Sequence, residues 1–291
     1  MNIIITGPNG YIARNIISKI KTKNQIILLN HKKPKFNSLK EFKTIKFDLN
    51  KNLIPKVKCD ILIHVAAITP QEKHTYSEYD RINFKSLKTI IKNIKIKKRL
   101  IFFSTTDVYK NQKKNINLKE NLKINIKKIS SYAKSKYNCE KFLKKLDKKK
   151  YCFEKIIFRL PGIIGGNNHK NFISNLVDNI LLNKKLSYFG MENFFNNIYH
   201  IDSLTKVIKR ISNKGINKNY EIINIGSNNP IKIKQVVHYL GGKIIKNTVN
   251  SSFLKKNMFT INVNKLNNYY KIKYSTKYFL KKYLKEKQIK K

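Results

Sequence analysis

Tyr132 and Lys136 stand four residues apart in Tyr132-Ala133-Lys134-Ser135-Lys136, a spacing that places a phenol and an ammonium on one face of a helix. A free phenol, with a pKa of about 10, is a poor base at neutral pH, but a neighbouring cation favours the phenolate. Such a pair can move a proton to or from a substrate oxygen. Chance produces this spacing readily in a lysine-rich chain, so it gains weight only from company. Company is present in Ser104-Thr105-Thr106, directly behind the apolar run Leu100 to Phe103. A strand over that run would carry the Thr105 hydroxyl to its carboxyl end, where doubly wound sheets hold ligands.

The elements that must position these groups begin at the N-terminus. Ile3-Ile4-Ile5 leads into Thr6-Gly7-Pro8-Asn9-Gly10-Tyr11-Ile12-Ala13 and then the amphipathic stretch Arg14 to Lys21. This pattern predicts a buried strand, a tight glycine turn and a helix whose N-terminal amides can hold a pyrophosphate. Gly7 permits the turn, Gly10 leaves room for backbone to approach phosphate, and Ala13 lets helix pack on strand.

Further apolar runs, Ile26 to Leu29, Ile45 to Phe47, Ile61 to Val65, Leu100 to Phe103, Ile156 to Leu160 and Glu221 to Ile225, alternate with helical stretches through the first half and beyond. Alternation of this kind predicts βαβ units. The expected fold is α/β: a Rossmann-like doubly wound parallel sheet with a smaller α/β substrate-binding domain. Residues 1–160 form the first, to which the chain returns at about 199–226, and 161–291 supply the second. Lys110 to Lys128 reads as a loop, and no internal repeat is present.

The formal charge of +47 invites a nucleic-acid or membrane-surface reading. Its texture argues otherwise, because only five of the 63 basic residues are arginine, the side chain that reads bases bidentately. Lysine, asparagine and isoleucine are over-used everywhere and share A/T-rich codons, so genomic composition accounts for the excess. No nucleic-acid partner is expected. No apolar run approaches the roughly 20 residues of a membrane span, and no leader pattern opens the chain, so a cytoplasmic protein is expected. Cys59, Cys139 and Cys152 show no paired spacing, and neither disulfides nor a metal site are expected.

Taken in order, these motifs resemble the extended short-chain dehydrogenase/reductase family, in its NAD(P)-dependent nucleotide-sugar epimerase/dehydratase branch. The resemblance rests on Gly7, Gly10 and Ala13; Asp48-Leu49; His64-Val65-Ala66-Ala67; Asn83; Thr105 ahead of Val108-Tyr109; Tyr132 with Lys136; Arg159-Leu160-Pro161-Gly162; His200-Ile201-Asp202; and Asn224-Ile225-Gly226. It implies an enzyme in which Thr105 hydrogen-bonds the reacting oxygen, Tyr132 is the general acid/base, and Lys136 tunes the phenol and binds the nicotinamide ribose. Cofactor contacts are implied for Gly7, Asn9, Gly10, Tyr11, Ile12, Asn30, Lys32, Asp48, Leu49, Ala66, Ala67 and Asn83, with Asp48 on the adenine. His64 reads as a core histidine and Asp202 as the N-cap of a helix over Leu204 to Ile211. A homodimer is implied through helices at Asn83 to Ile96 and Ser131 to Leu146.

No acid follows the second strand in Asn30-His31-Lys32-Lys33, which tilts the cofactor expectation toward NADP over NAD. Thr106 and Asp107 replace the Asp and Glu of 4,6-dehydratases, so a reductase or epimerase acting on a small-molecule substrate, a nucleotide sugar, is expected before a dehydratase. Gly162 stands where the family has a diphosphate-binding asparagine, and Asn196 or Asn197 where it has an arginine; Thr106, Asn196 and Asn197 are the expected substrate contacts. The alternatives are a non-catalytic dinucleotide sensor on the same fold and, last, a polyanion-binding protein.

Overall fold

The computed structural model describes all residues except 21–24, 113–115, 183, 185, 189, 242–243, 248–257, 272 and 290–291, and describes 186–188 and 244–247 by backbone alone. The last residue of the expected first helix, Lys21, and the interior of the expected loop at 113–115 lie outside the described residues.

Seven strands form the main sheet: β1 (Asn2–Thr6), β2 (Gln25–Asn30), β3 (Lys43–Lys46), β4 (Val57–His64), β5 (Ile94–Thr105), β6 (Glu154–Leu160) and β11 (Tyr220–Asn224). Their order is β3-β2-β1-β4-β5-β6-β11, and β1 pairs in parallel with β2 and β4, β2 with β3, and β4 with β5. The reversal of strand order beside β1 is the switch point at which doubly wound sheets bind ligands. Ile3, Ile4 and Ile5 are each 0% exposed, which requires cover on both faces of the sheet.

The helices are α1 (Tyr11–Ile20), α2 (Asn37–Lys40), α3 (Tyr76–Tyr79), α4 (Ser86–Asn93), α5 (Ser131–Lys145), α6 (Phe172–Leu181), α7 (Ile201–Lys214), α8 (Ile233–Tyr239), α9 (Asn264–Tyr270) and α10 (Thr276–Gln288). A π-helical turn over Asp80–Lys85 joins α3 to α4. One sheet face carries Ile4, Leu62, Leu100 and Phe102, which pack against Leu87, Ile90 and Ile91 of α4 and against Cys139 and Leu143 of α5. Ser130 caps α5, its hydroxyl accepting the Ala133 N–H at 3.2 Å.

Two expectations need correction. The helix placed over Asn83 to Ile96 ends at Asn93, and Ile94 to Ile96 belong to β5, where buried Ile94 and Ile96 alternate with exposed Lys95 and Lys97. Asp202 is not an N-cap, because α7 begins at Ile201 and the His200 Nδ1 accepts the Asp202 N–H at 3.2 Å.

The chain divides into two compact units: Met1–Thr105, Ser130–Arg159 and Thr205–Ile222 in one, and Thr106–Ile129, Leu160–Leu204 and Ile223–Lys291 in the other. Residues 106–129, expected in the first, thus belong to the second. Within the second unit β7 (Gly162–Ile164) pairs with β10 (Ile198–His200), β9 (Phe194–Phe195) with β12 (Ile231–Lys232), and β8 (Leu186–Tyr188) with β13 (Ile244–Asn247). Asn224 fastens its loops: its Nδ2 donates to the carbonyls of Leu118 and Asn262, and its Oδ1 accepts the Tyr109 hydroxyl at 2.9 Å. Among the described residues no helix is long and apolar enough to cross a membrane.

Candidate active site

At the end of β1 the backbone turns through Gly7, with φ at +66°, and closes with the Gly10 N–H donating to the Gly7 carbonyl at 3.0 Å. A Cβ on Gly7 would lie 3.0 Å from the Ala66 Cα, so both the conformation and the space demand glycine. α1 starts immediately after, its N-terminus at the carboxyl end of β1. Tyr11 is buried, Ile12 and Asn9 are half-buried, and Ala66 and Ala67 sit half-buried just beyond β4. The turn, the cleared space and the helix N-terminus are the features that receive a pyrophosphate, and the residues present fit a dinucleotide.

Asn9 reaches the segment after β2, donating from Nδ2 toward the Lys33 carbonyl at 3.3 Å and Asn30 Oδ1 at 3.5 Å, and accepting the Lys35 N–H on Oδ1 at 2.9 Å. Asn30 is buried and Lys32 exposed. Asp48 accepts from the Asn50 and Lys51 backbone N–H groups on Oδ1, while its Oδ2 lies 3.2 Å from His31 Nε2. His31 is not among the expected site residues. Leu49 packs half-buried on the hydrophobic core.

Lys136 lies on α5 with Nζ 4.9 Å from the centroid of Phe102, whose ring also stacks on His64 with centroids 5.9 Å apart. Burial pushes the Lys136 ammonium down to about 8. His64 is driven to about 3, first by burial and then by the Lys136 charge. Its tautomer follows from its partner: the Thr6 hydroxyl already accepts the Val65 and Ala66 N–H groups at 3.0 Å each. The Thr6 proton therefore goes to His64 Nδ1 at 2.9 Å, leaving the imidazole neutral with its hydrogen on Nε2. His64 is a core histidine that sets the backbone beyond β4.

Tyr132 sits one helical turn before Lys136 and is half-buried, with the Tyr79 ring edge-on at 5.7 Å between centroids. Tyr79 is a buttress that no spacing in the sequence marks. Thr105, 7% exposed, is the last residue of β5. The structure thus gathers Lys136, His64 and Phe102 in contact, with Thr105 and Tyr132 on the two packed elements β5 and α5.

Asn83, in the π-helical turn, is a joist. Its Oδ1 accepts the Ile68 N–H at 3.0 Å, and its Nδ2 donates to the Ile68 carbonyl at 3.1 Å and to Ser135 Oγ at 3.3 Å. It ties the segment after β4 to α5. A π turn of this kind marks functional sites in many helices, yet hydrophobic periodicity does not reveal it.

The expected substrate contacts are engaged within their own unit. The Thr106 hydroxyl donates to the Leu160 carbonyl at 3.3 Å. Asn196, 1% exposed, donates to the Ser227 and Ile261 carbonyls and accepts the Ile261 N–H, so its amide is fully occupied by backbone. Asn197 donates to the Phe259 carbonyl at 2.7 Å and is half-buried. His200, Asp202 and Glu286 are spaced as metal ligands could be, but His200 Nε2 pairs with Glu286 at 3.0 Å and Lys282 with Asp202. These four side chains form an ion-pair network between the start of α7 and α10.

Comparison with known proteins identifies the family and the fold. A family model described as the NAD dependent epimerase/dehydratase family matches residues 3–226. A dTDP-D-glucose 4,6-dehydratase of Dictyostelium discoideum is 26% identical over 255 residues, which cover 77% of this chain and 58% of that protein. The chain therefore spans somewhat more than half the length of this curated relative. Among solved structures, a UDP-glucuronic acid 4-epimerase from Bacillus cereus in complex with NAD superposes with a TM-score of 0.74 at 20% identity, covering 100% of both chains. A dTDP-glucose 4,6-dehydratase from Bacillus anthracis in complex with NAD gives 0.73 at 20% identity, covering 99% of this chain and 97% of the other. At these identities the structures share the fold.

Proposed function

Since the chain belongs to the NAD dependent epimerase/dehydratase family, we propose that it is an oxidoreductase of the epimerase or reductase type, acting on a carbinol or ketone of a nucleotide-activated sugar. The observation that carries this reading is the buried cation of Lys136, one helical turn from Tyr132 on a helix packed against β5. Gly7, Gly10, the N-terminus of α1, Asn30 and Lys32 would hold the dinucleotide. When bound, it supplies a nicotinamide that accepts or returns a hydride.

The chain's own residues manage the proton. Lys136 stays protonated below its depressed pKa of about 8, and a cation close to a phenol favours the phenol's anion. Tyr132 then takes the proton of a substrate hydroxyl or returns it to a ketone oxygen. Thr105 donates a hydrogen bond to the same oxygen and fixes its direction. Tyr79 packs edge-on against the Tyr132 ring, while Asn83 and Ser135 tie the start of α5 to the segment after β4.

Epimerase or reductase is the favoured reading over dehydratase, although the curated relative is a 4,6-dehydratase. Loss of water needs an extra acid and base; Thr106 is buried on the Leu160 carbonyl, and Asp107 lies 2.9 Å from Lys110. The absence of an acid at the end of β2 favours NADP over NAD. Titration with both reduced dinucleotides, followed by a screen of nucleotide sugars for cofactor-linked absorbance change, tests the reading. Tyr132→Phe is expected to lower turnover by about 10²-fold or more while dinucleotide affinity holds within about threefold; full turnover in that variant would remove Tyr132 from the chemistry.

A further inference from the structure

We infer that Asn9, acting through Asn30, selects between the two dinucleotides by fixing which end of the Asn30 amide faces the ligand. The inference rests on the nucleotide-binding reading above. Its starting point is a backbone group that can only donate. The Lys35 N–H meets Asn9 Oδ1 at 2.9 Å, so the other arm of the Asn9 amide is its NH₂. That arm points at two acceptors, the Lys33 carbonyl at 3.3 Å and Asn30 Oδ1 at 3.5 Å. Asn30 accordingly holds its oxygen on the side of Asn9 and its NH₂ on the other.

Asn30 Nδ2 is buried and has no partner among the described residues, in a residue only 7% exposed at the end of β2. A buried donor without an acceptor is unfavourable, and a ligand that brings an acceptor relieves it. A ribose 2′-phosphate brings only acceptors; a 2′-hydroxyl brings one and also a proton that has no acceptor on Asn30 to go to. The surrounding charge points the same way. Lys32 and Lys33 are exposed beside Asn30, and the nearby Asp48 carboxylate is occupied by His31 at 3.2 Å. The segment is held a second time by the Arg14 guanidinium, 3.8 Å above the Phe36 ring. Asn9 is thus a positioning residue: it makes no use of its own polarity toward the phosphate and passes the polarity of the Lys35 N–H to Asn30.

The test is fluorescence titration of NADPH and NADH against the full chain and its variants, each first shown by circular dichroism to melt cooperatively. Wild type is expected to bind NADPH more tightly. Asn9→Asp puts an acceptor opposite Asn30, which turns to donate to it and presents its oxygen; the NADPH/NADH affinity ratio is expected to fall about tenfold, the size of one hydrogen bond to a charged group. Asn9→Ala, which adds no charge, lets the amide adopt either orientation and lowers the ratio less. Asn30→Asp reproduces the full fall directly. In an Asn30→Ala background, Asn9→Asp is expected to leave the ratio within about twofold. An unchanged ratio in Asn9→Asp, an equal fall in the Asn30→Ala background, or a wild type that prefers NADH overturns the inference while leaving the nucleotide-binding reading intact. Failure of folded wild type to bind either dinucleotide overturns that reading and the inference with it.

Discussion

Glu140 and Arg159 form a fork-to-fork pair in which Nε donates to Oε1 at 3.0 Å and Nη2 to Oε2 at 2.6 Å, with both side chains 2% exposed. The Ser104 hydroxyl donates to the same Oε1 at 2.5 Å. One carboxylate therefore joins α5 to both β5 and β6, and α5 is the helix that carries Tyr132 and Lys136. The arginine of the Arg159-Leu160-Pro161-Gly162 motif is a structural anchor for that helix.

Removing the carboxylate charge would strand the arginine. Glu140→Gln is expected to lower unfolding free energy by about 3 kcal/mol in urea, because breaking one side of a buried pair leaves an uncompensated charge. Replacing both, as Glu140→Leu with Arg159→Met, is expected to recover more than half of that loss. A loss below about 1 kcal/mol in the single variant would mean that the pair does not hold the helix.

Lys136 opposes folding while it serves the site. Burial holds its pKa near 8 against 10.5 in the open chain, so between those values the unfolded state binds more protons and stability rises with pH; below about 8 the full penalty applies, roughly 3 kcal/mol. Lys136→Met is expected to be more stable than wild type at pH 7 by up to that amount, to flatten the rise between pH 8 and 10, and to abolish turnover. Denaturation at pH 7, 8 and 9 with parallel assays checks all three. A variant less stable than wild type at pH 7 contradicts the account.

His64 acts with the same sign in a lower pH window. Its folded pKa of about 3 lies below the 6.5 of a free imidazole, so acidification protonates the unfolded chain first and stability falls as pH drops below about 6.5. The slope predicts a loss of about 2 kcal/mol between pH 6.5 and pH 5 from this residue. His64→Gln keeps a side-chain amide for the Thr6 hydroxyl and is expected to erase that component. Parallel stability curves for the two proteins across this range would rule it out.

Where a segment is buried on both faces, its pattern in the chain is unambiguous: Ile3 to Ile5, Ile61 to Ile63 and Leu100 to Phe103 are apolar without interruption because water touches neither side. The glycine turn is equally legible, since only glycine accepts the positive φ and the approach of Ala66. From Ile94 to Lys97 the lysine excess conceals the alternation, and a strand reads as the end of a helix. Pairings across the fold leave no local mark: Glu140 with Arg159, Tyr79 with Tyr132, and His31 with Asp48 depend on where the sheet delivers each residue. Asn196 has the polarity of a substrate contact, but its every hydrogen-bonding atom serves the backbone around it.

The widened turn at Asp80–Lys85 fixes the length of the segment it interrupts. Deleting one residue inside that turn would restore ordinary α winding and leave Leu87, Ile90 and Ile91 on the sheet they cover, whereas deleting one within α4 would rotate every later residue of the helix by roughly 100°. Substitutions along the outer face of α4 are tolerable, but an insertion or deletion is not. The surplus residue that lets Asn83 face inward is thus absorbed before the oily side of α4 begins, and what keeps it is the grip of Asn83 on Ile68 and Ser135.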